Sequence, residues 1–207
     1  MTNTPLCSGS DILFQGSGAD SYSWIGPNSF TSALQNPVIS DSDLTDSGLY
    51  TLIGTNTNGC RDSITTNINV FPLPVVMATA DQAEYCEEET IQLNVNSGTS
   101  YTWSGPDGFT SNLQSPSIFN STTAQQGTYT IQISDVNGCT NQGQVSILVI
   151  SSPAVTIAGD LSVCEGELVQ LTAQGNASTY SWTGPAGVMS SNMIITIPIS
   201  TLNNSGT

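Results

Sequence analysis

The sequence has no histidine and no lysine, and its single cation, Arg61, stands against 16 aspartates and glutamates for a net charge of −15. Each absence removes a class of function. Without His or Lys, the acids and bases left are carboxylates, Tyr and Cys. A serine nucleophile would lack an imidazole to activate it, so no catalytic residue is assigned and no enzyme is expected. One positive side chain cannot neutralise phosphates, which argues against nucleic acid and against docking on anionic lipid. No run of 18 apolar residues occurs, so direct membrane insertion by a helix is not expected. The missing Lys also excludes a Lys–Asn isopeptide cross-link. The opening "MTNTPLCSGSD" shows no basic and apolar signal-peptide regions.

What remains is polar but barely charged. Charged residues make up 8 % and hydrophobic ones 37 %, enough for packed cores despite the net charge. Thr, Val and Ile among Ser, Asn, Gln and Gly suit short strands joined by turns.

Self-similarity organises the chain. "SYSWIGPNSF" (21–30) returns as "SYTWSGPDGF" (100–109) and "TYSWTGPAGV" (179–188), so Trp24, Trp103 and Trp182 follow one another at intervals of 79 residues. Cys7, Cys86 and Cys164 precede them at matching distances, and Gly48, Gly127 and Gly206 follow. Tyr50 and Tyr129 come two residues after their Gly, and "NGC" ends at Cys60 and Cys139. Three copies are expected, at 1–72, 73–152 and 153–207, with copy one short at its start and copy three lacking its last strands. "VFPLPVV" (70–76) and "VISSPAV" (149–155) are short Pro-containing joints, which predict a rod taken from a longer array rather than a flexible string.

Within a copy the period is two. Ile91, Leu93 and Val95 alternate with polar residues, as do Tyr101 and Trp103, Tyr129, Ile131 and Ile133, and Val145, Ile147 and Val149. Gly105-Pro106 ends a strand, and Asn137-Gly138 signals a hairpin. Short strands, frequent turns and one inward Trp predict an all-β, two-sheet immunoglobulin-like sandwich, repeated in tandem about every 79 residues.

The pattern C…Y-x-W-x-G-P…G-x-Y…N-G-C resembles the immunoglobulin-like and PKD-like repeats of very large surface and secreted proteins of Bacteroidota, including gliding-motility adhesins. "DSGLY" (46–50) is similar to the Asp-x-Gly-x-Tyr corner of immunoglobulin-like domains, although copy two keeps only "QGTY" (126–129). The resemblance implies an extracellular, cell-surface protein exported by the type IX pathway.

Three sets of residues invite a site. Cys7 and Cys60 share their separation with Cys86 and Cys139, which suggests a disulfide within each copy and leaves Cys164 unpaired. A zinc site is the rival, without any CxxC pair or His to support it. The within-copy pairing carries a difficulty, since a standard sandwich puts these two positions at opposite ends. The Trp-Gly-Pro stretch reads as core, with Trp24, Trp103, Trp182, Tyr50 and Tyr129 packed inside, or as an aromatic platform for sugar rings. Asp41, Asp43 and Asp46 are calcium candidates, set against a solvated acidic surface; Glu84, Glu87, Glu88 and Glu89 form a second acidic run. Copy two replaces the first cluster with "NSTTAQQG", so no cofactor is assigned.

The expected function is a structural or adhesive stalk segment of a bacterial surface adhesin or gliding-type protein, whose partners are neighbouring repeats of the same chain. The alternatives are a module binding surface polysaccharide or glycan, a spacer of a secreted polysaccharide-degrading enzyme, and a filament subunit that accepts a neighbour's strand.

Overall fold

The computed structural model describes residues 6–206, and its regular elements there are β-strands and single 3₁₀ turns. They form two compact units, Met1–Ile150 and Ser151–Thr207.

The first unit holds two copies. Copy one contributes β1 (Ile12–Leu13), β2 (Ser21–Ile25), β3 (Thr31–Ser32), β4 (Val38–Ile39), β5 (Gly48–Thr55) and β6 (Arg61–Ile68). Copy two contributes β7 (Ala78–Ala80), β8 (Glu84–Cys86), β9 (Ile91–Val95), β10 (Ser100–Ser104), β11 (Thr110–Ser111), β12 (Ser117–Ile118), β13 (Gly127–Ser134) and β14 (Thr140–Ile150).

In copy two, one sheet runs β11-β10-β13-β14-β8 and the other β12-β9-β7. All pairs are antiparallel except β8 with β14, which runs parallel. The first strand of the copy is thus split: β7 joins one sheet and β8 crosses to the other. That split, with a Trp on the central strand of the larger sheet, makes the topology immunoglobulin-like. Copy one repeats it with a sheet β3-β2-β5-β6 and a pair β1-β4, and a parallel bridge from Cys7 to Phe71 stands where β8 meets β14.

The period of two decides what is buried. In β9, Ile91, Leu93 and Val95 face inward and Gln92 and Asn94 do not. They meet Trp103, Tyr129, Ile131, Ile133, Ile147 and Val149 from the opposite sheet, the interdigitation that holds sandwiches together. Copy one packs Leu6, Ile12, Phe14, Trp24, Tyr50, Ile68 and Val70. Where copy two has Val95, copy one has Gly16, and the smaller core is filled by rings: Phe14 lies 4.9 Å from both Trp24 and Tyr50.

The second unit contains β15 (Val155–Gly159), β16 (Val169–Gly175), β17 (Trp182–Thr183), β18 (Met189–Ser190) and β19 (Ile194–Ile197). They form a sheet β15-β16-β19 and a pair β17-β18.

Candidate functional site: the junction between the first two copies

The repeated motif is a packing device. Trp24 and Trp103 are buried, and each indole Nε1 donates to a carbonyl ten residues on, Leu34 O and Leu113 O, both at 3.0 Å. Half-buried Trp182 makes the same bond to Asn192 O at 2.8 Å. The Tyr hydroxyls of Tyr50 and Tyr129 reach back four residues, donating to Asp46 O at 2.8 Å and Gln125 O at 2.7 Å. Their rings lie on the Gly of Gly-Pro: a Cβ at Gly26 or Gly105 would overlap Tyr50 or Tyr129. The Pro faces the Gly that precedes the Tyr, and at Gly48 and Gly127 (φ 141° and 135°) an added Cβ would lie 2.8 Å from Pro27 or Pro106. Gly-Pro and Gly-x-Tyr are therefore two halves of one contact. Phe109 meets Tyr129 edge-on at 5.4 Å. The indoles of the first unit thus present no open face on which a sugar ring could stack.

The acidic cluster has a local task. Asp43 accepts from Thr45 N at 2.7 Å and Thr45 Oγ1 at 2.6 Å, and Asp46 accepts from Asp43 N at 3.0 Å. This is a reciprocal cap around Leu44–Asp46. Copy two builds it from Thr122 and Gln125, and copy three from Thr201 and Asn204, so the device needs acceptors and no charge. Asp41 donates its backbone N–H to Asp11. Among the described residues no group of three or more such side chains is placed to hold a metal ion.

The cysteines depart from the expectation. Cys7 is bonded to Cys139, 132 residues away, while Cys60, Cys86 and Cys164 are exposed free thiols. The within-copy pairs Cys7–Cys60 and Cys86–Cys139 are corrected accordingly. Distance is the reason. Cys7 sits beside Phe71, close to where Gly48 pairs with Ile68, whereas Cys60 turns the chain at the other end of that ladder, beyond the Thr55–Arg61 pair. Seven residue steps along an extended strand put these ends roughly 23 Å apart, and a disulfide needs Cα atoms within about 7 Å. The Cα atoms of Cys7 and Cys139 are 5.7 Å apart.

The joint brings them together. Asn141 Nδ2 donates to Pro74 O at 2.9 Å, Asn96 Nδ2 to Val75 O at 2.7 Å, and Met77 N to Asn96 Oδ1 at 2.8 Å. Val76 packs on the copy-two core, in the space beside Gly143 where a side chain would collide with it. The clasped joint holds the end of copy one over the turn 135–139, and Cys139 is fully buried. That turn is itself tied down: Cys139 N donates to Asp135 Oδ1 and Asp135 N to Cys139 O. The sequence signal for this junction was the opposite-ends difficulty, taken together with asparagines beside the joint.

No family model matches the sequence, and no curated protein matches it. Among solved structures, the amphioxus IgVJ-C2 molecule is 20 % identical, with 68 % of this chain and 97 % of that one covered at a TM-score of 0.33. Murine CEACAM1b is 14 % identical, covering 70 % and 95 % at 0.35. Three N-terminal domains of the bacteriophage RB49 Highly Immunogenic Outer Capsid protein are 11 % identical, covering 95 % and 84 % at 0.37. At these scores the likeness adds nothing to what the strand order establishes.

Proposed function

We infer that this chain is a structural segment of an extracellular bacterial surface protein, an array of immunoglobulin-like copies that acts as a stiff stalk, of the adhesin or gliding type found in Bacteroidota. The observation that carries the reading is the junction: a clasped joint, a hydrophobic side chain seated in the next copy, and a covalent staple between copies. Such a connection resists bending and pulling, which a stalk needs and a tethered binding domain does not. The disulfide fits an oxidising compartment, and the lack of Lys, with one Arg, leaves trypsin-like proteases little to cut. The residues left for catalysis support a non-enzymatic role.

The test is a binding screen of the full chain against polysaccharides and cell-surface extracts, with and without calcium. No saturable binding, together with a scattering profile of a stiff elongated particle, is the expected result. Saturable binding lost in Asp107→Ala or Phe109→Ala, with the fold intact, would replace the stalk with an adhesive module.

A further inference from the structure

Cys60 occupies the same turn as Cys139. Asn56 N donates to Cys60 O at 3.0 Å and Cys60 N to Asn56 Oδ1 at 2.9 Å, matching the bonds between Asp135 and Cys139. The difference is cover: Cys139 is buried and bonded, and Cys60 is exposed and free. Beside Cys60 lies an open groove of about 290 Å³ lined by Tyr22, Leu52, Gly54, Asp62 and Ile64 among others. These positions correspond, at the 79-residue repeat, to Tyr101, Ile131, Ile133, Asn141 and Gly143. In copy two that groove is where the joint of copy one lies, clasped by Asn141 and with Val76 at Gly143. Copy one therefore shows the acceptor half of the junction with its filler absent, and 69 % of Ile64 is exposed there.

The donor half also recurs. Ser8 N donates to Phe71 O and Ser10 N to Cys7 O; in copy two Glu87 N donates to Ile150 O and Glu89 N to Cys86 O. Cys164 is held by the corresponding bond from Glu167 N to its carbonyl. Cys86 and Cys164 are thus presented in the turn from which Cys7 makes its bond.

We propose that Cys60 and the groove beside it are a docking site for another copy of this module, which lays its Pro74–Met77-type joint in the groove and closes a disulfide from its Cys7-type cysteine to Cys60. The inference goes beyond the stalk reading, because it names which thiols join and in which direction. The chemistry is thiol–disulfide exchange. The Cys7-type thiolate attacks a low-molecular disulfide such as oxidised glutathione and releases one thiol. The Cys60 thiolate then attacks the protein sulfur of that mixed disulfide and releases the second. Two protein thiols are oxidised as one external disulfide is reduced.

Duplicating residues 1–79 in front of the intact chain places a second Cys7 in register with Cys60. Refolded in a glutathione redox buffer and mapped by mass spectrometry, this chain is expected to carry two bonds, added Cys7 to Cys60 and original Cys7 to Cys139. In the same chain Ile64→Glu, which fills the groove with charge, is expected to reduce the Cys60 bond several-fold and to spare Cys7–Cys139. The proposal is overturned if Cys7–Cys139 forms while Cys60 stays free, or if Cys60 pairs with Cys86 or with its own duplicate. Should the extended chain not fold, the unextended chain decides the matter with a synthetic peptide of residues 70–79. Protection of Cys60 from alkylation by about tenfold supports the groove as a joint acceptor, and unchanged alkylation overturns it.

Discussion

At the residue scale, the repeated Tyr-x-Trp-x-Gly-Pro is held by sterics and hydrogen bonds in the core. Gly105 has no room for a methyl group because the Tyr129 ring lies over it. Gly105→Ala is expected to cost about 1–3 kcal/mol, the usual cost of overpacking, read as a lower urea midpoint at unchanged slope. Tyr129→Phe removes only the hydroxyl bond to Gln125 O, and about 1 kcal/mol is expected. Burial pushes the phenols of Tyr50, Tyr85 and Tyr129 up to about 12, helped by the carboxylates of Asp46, Asp81 and Asp107 respectively. A raised folded-state value means the unfolded chain loses its protons first. The stability these groups contribute is complete below about pH 10 and falls as pH rises towards 12. Phenolate absorbance and unfolding should therefore rise together in that window, and full phenol ionisation near pH 10 with the fold intact would contradict the burial account.

At the scale of elements, strands read well from sequence and short turns did not. Alternation located the inward residues of β9 and β13, because a strand with one buried face must alternate. The caps were missed: "SDSDLTDSG" and "NSTTAQQG" look unrelated until Asp43 and Asp46 are seen to make the bonds of Thr122 and Gln125. Acidic residues drew attention to calcium, although acceptor geometry was the shared property. Asp43→Ala is expected to cost about 1 kcal/mol as a lost cap, while Asp46→Gln, which keeps an acceptor, should change little. Hydrogen bonds from Thr45 hold the Asp43 carboxyl below its usual value, so its contribution is present above the ordinary carboxylate range and fades as pH falls through the lowered value. Exchanging calcium for a chelator should leave the thermal midpoint of the wild-type chain unchanged, and a calcium-dependent rise would show a site that the caps do not explain.

At the scale of the molecule, the sandwich and its repetition were legible and the connection between copies was not. The within-copy cysteine separation occurs twice in this sequence and the 132-residue separation once, so spacing alone selects the wrong partner. What decides is which end of the sandwich each cysteine occupies. Joint, clasp and staple act together, since the disulfide holds in place a contact already made by Val76, Asn96 and Asn141. Cys7→Ser is expected to destabilise the Met1–Ile150 unit by about 2–5 kcal/mol, the range for losing a native disulfide. Asn96→Ala, which removes two joint bonds, should loosen the junction and speed reduction of Cys7–Cys139. The most direct measurement is a disulfide map of the oxidised full chain, alkylated before digestion with a protease that does not rely on Lys or Arg. The account predicts one linked pair, Cys7 with Cys139, and alkylated Cys60, Cys86 and Cys164. Linked Cys7–Cys60 and Cys86–Cys139 would return each staple to its own copy and remove the covalent junction.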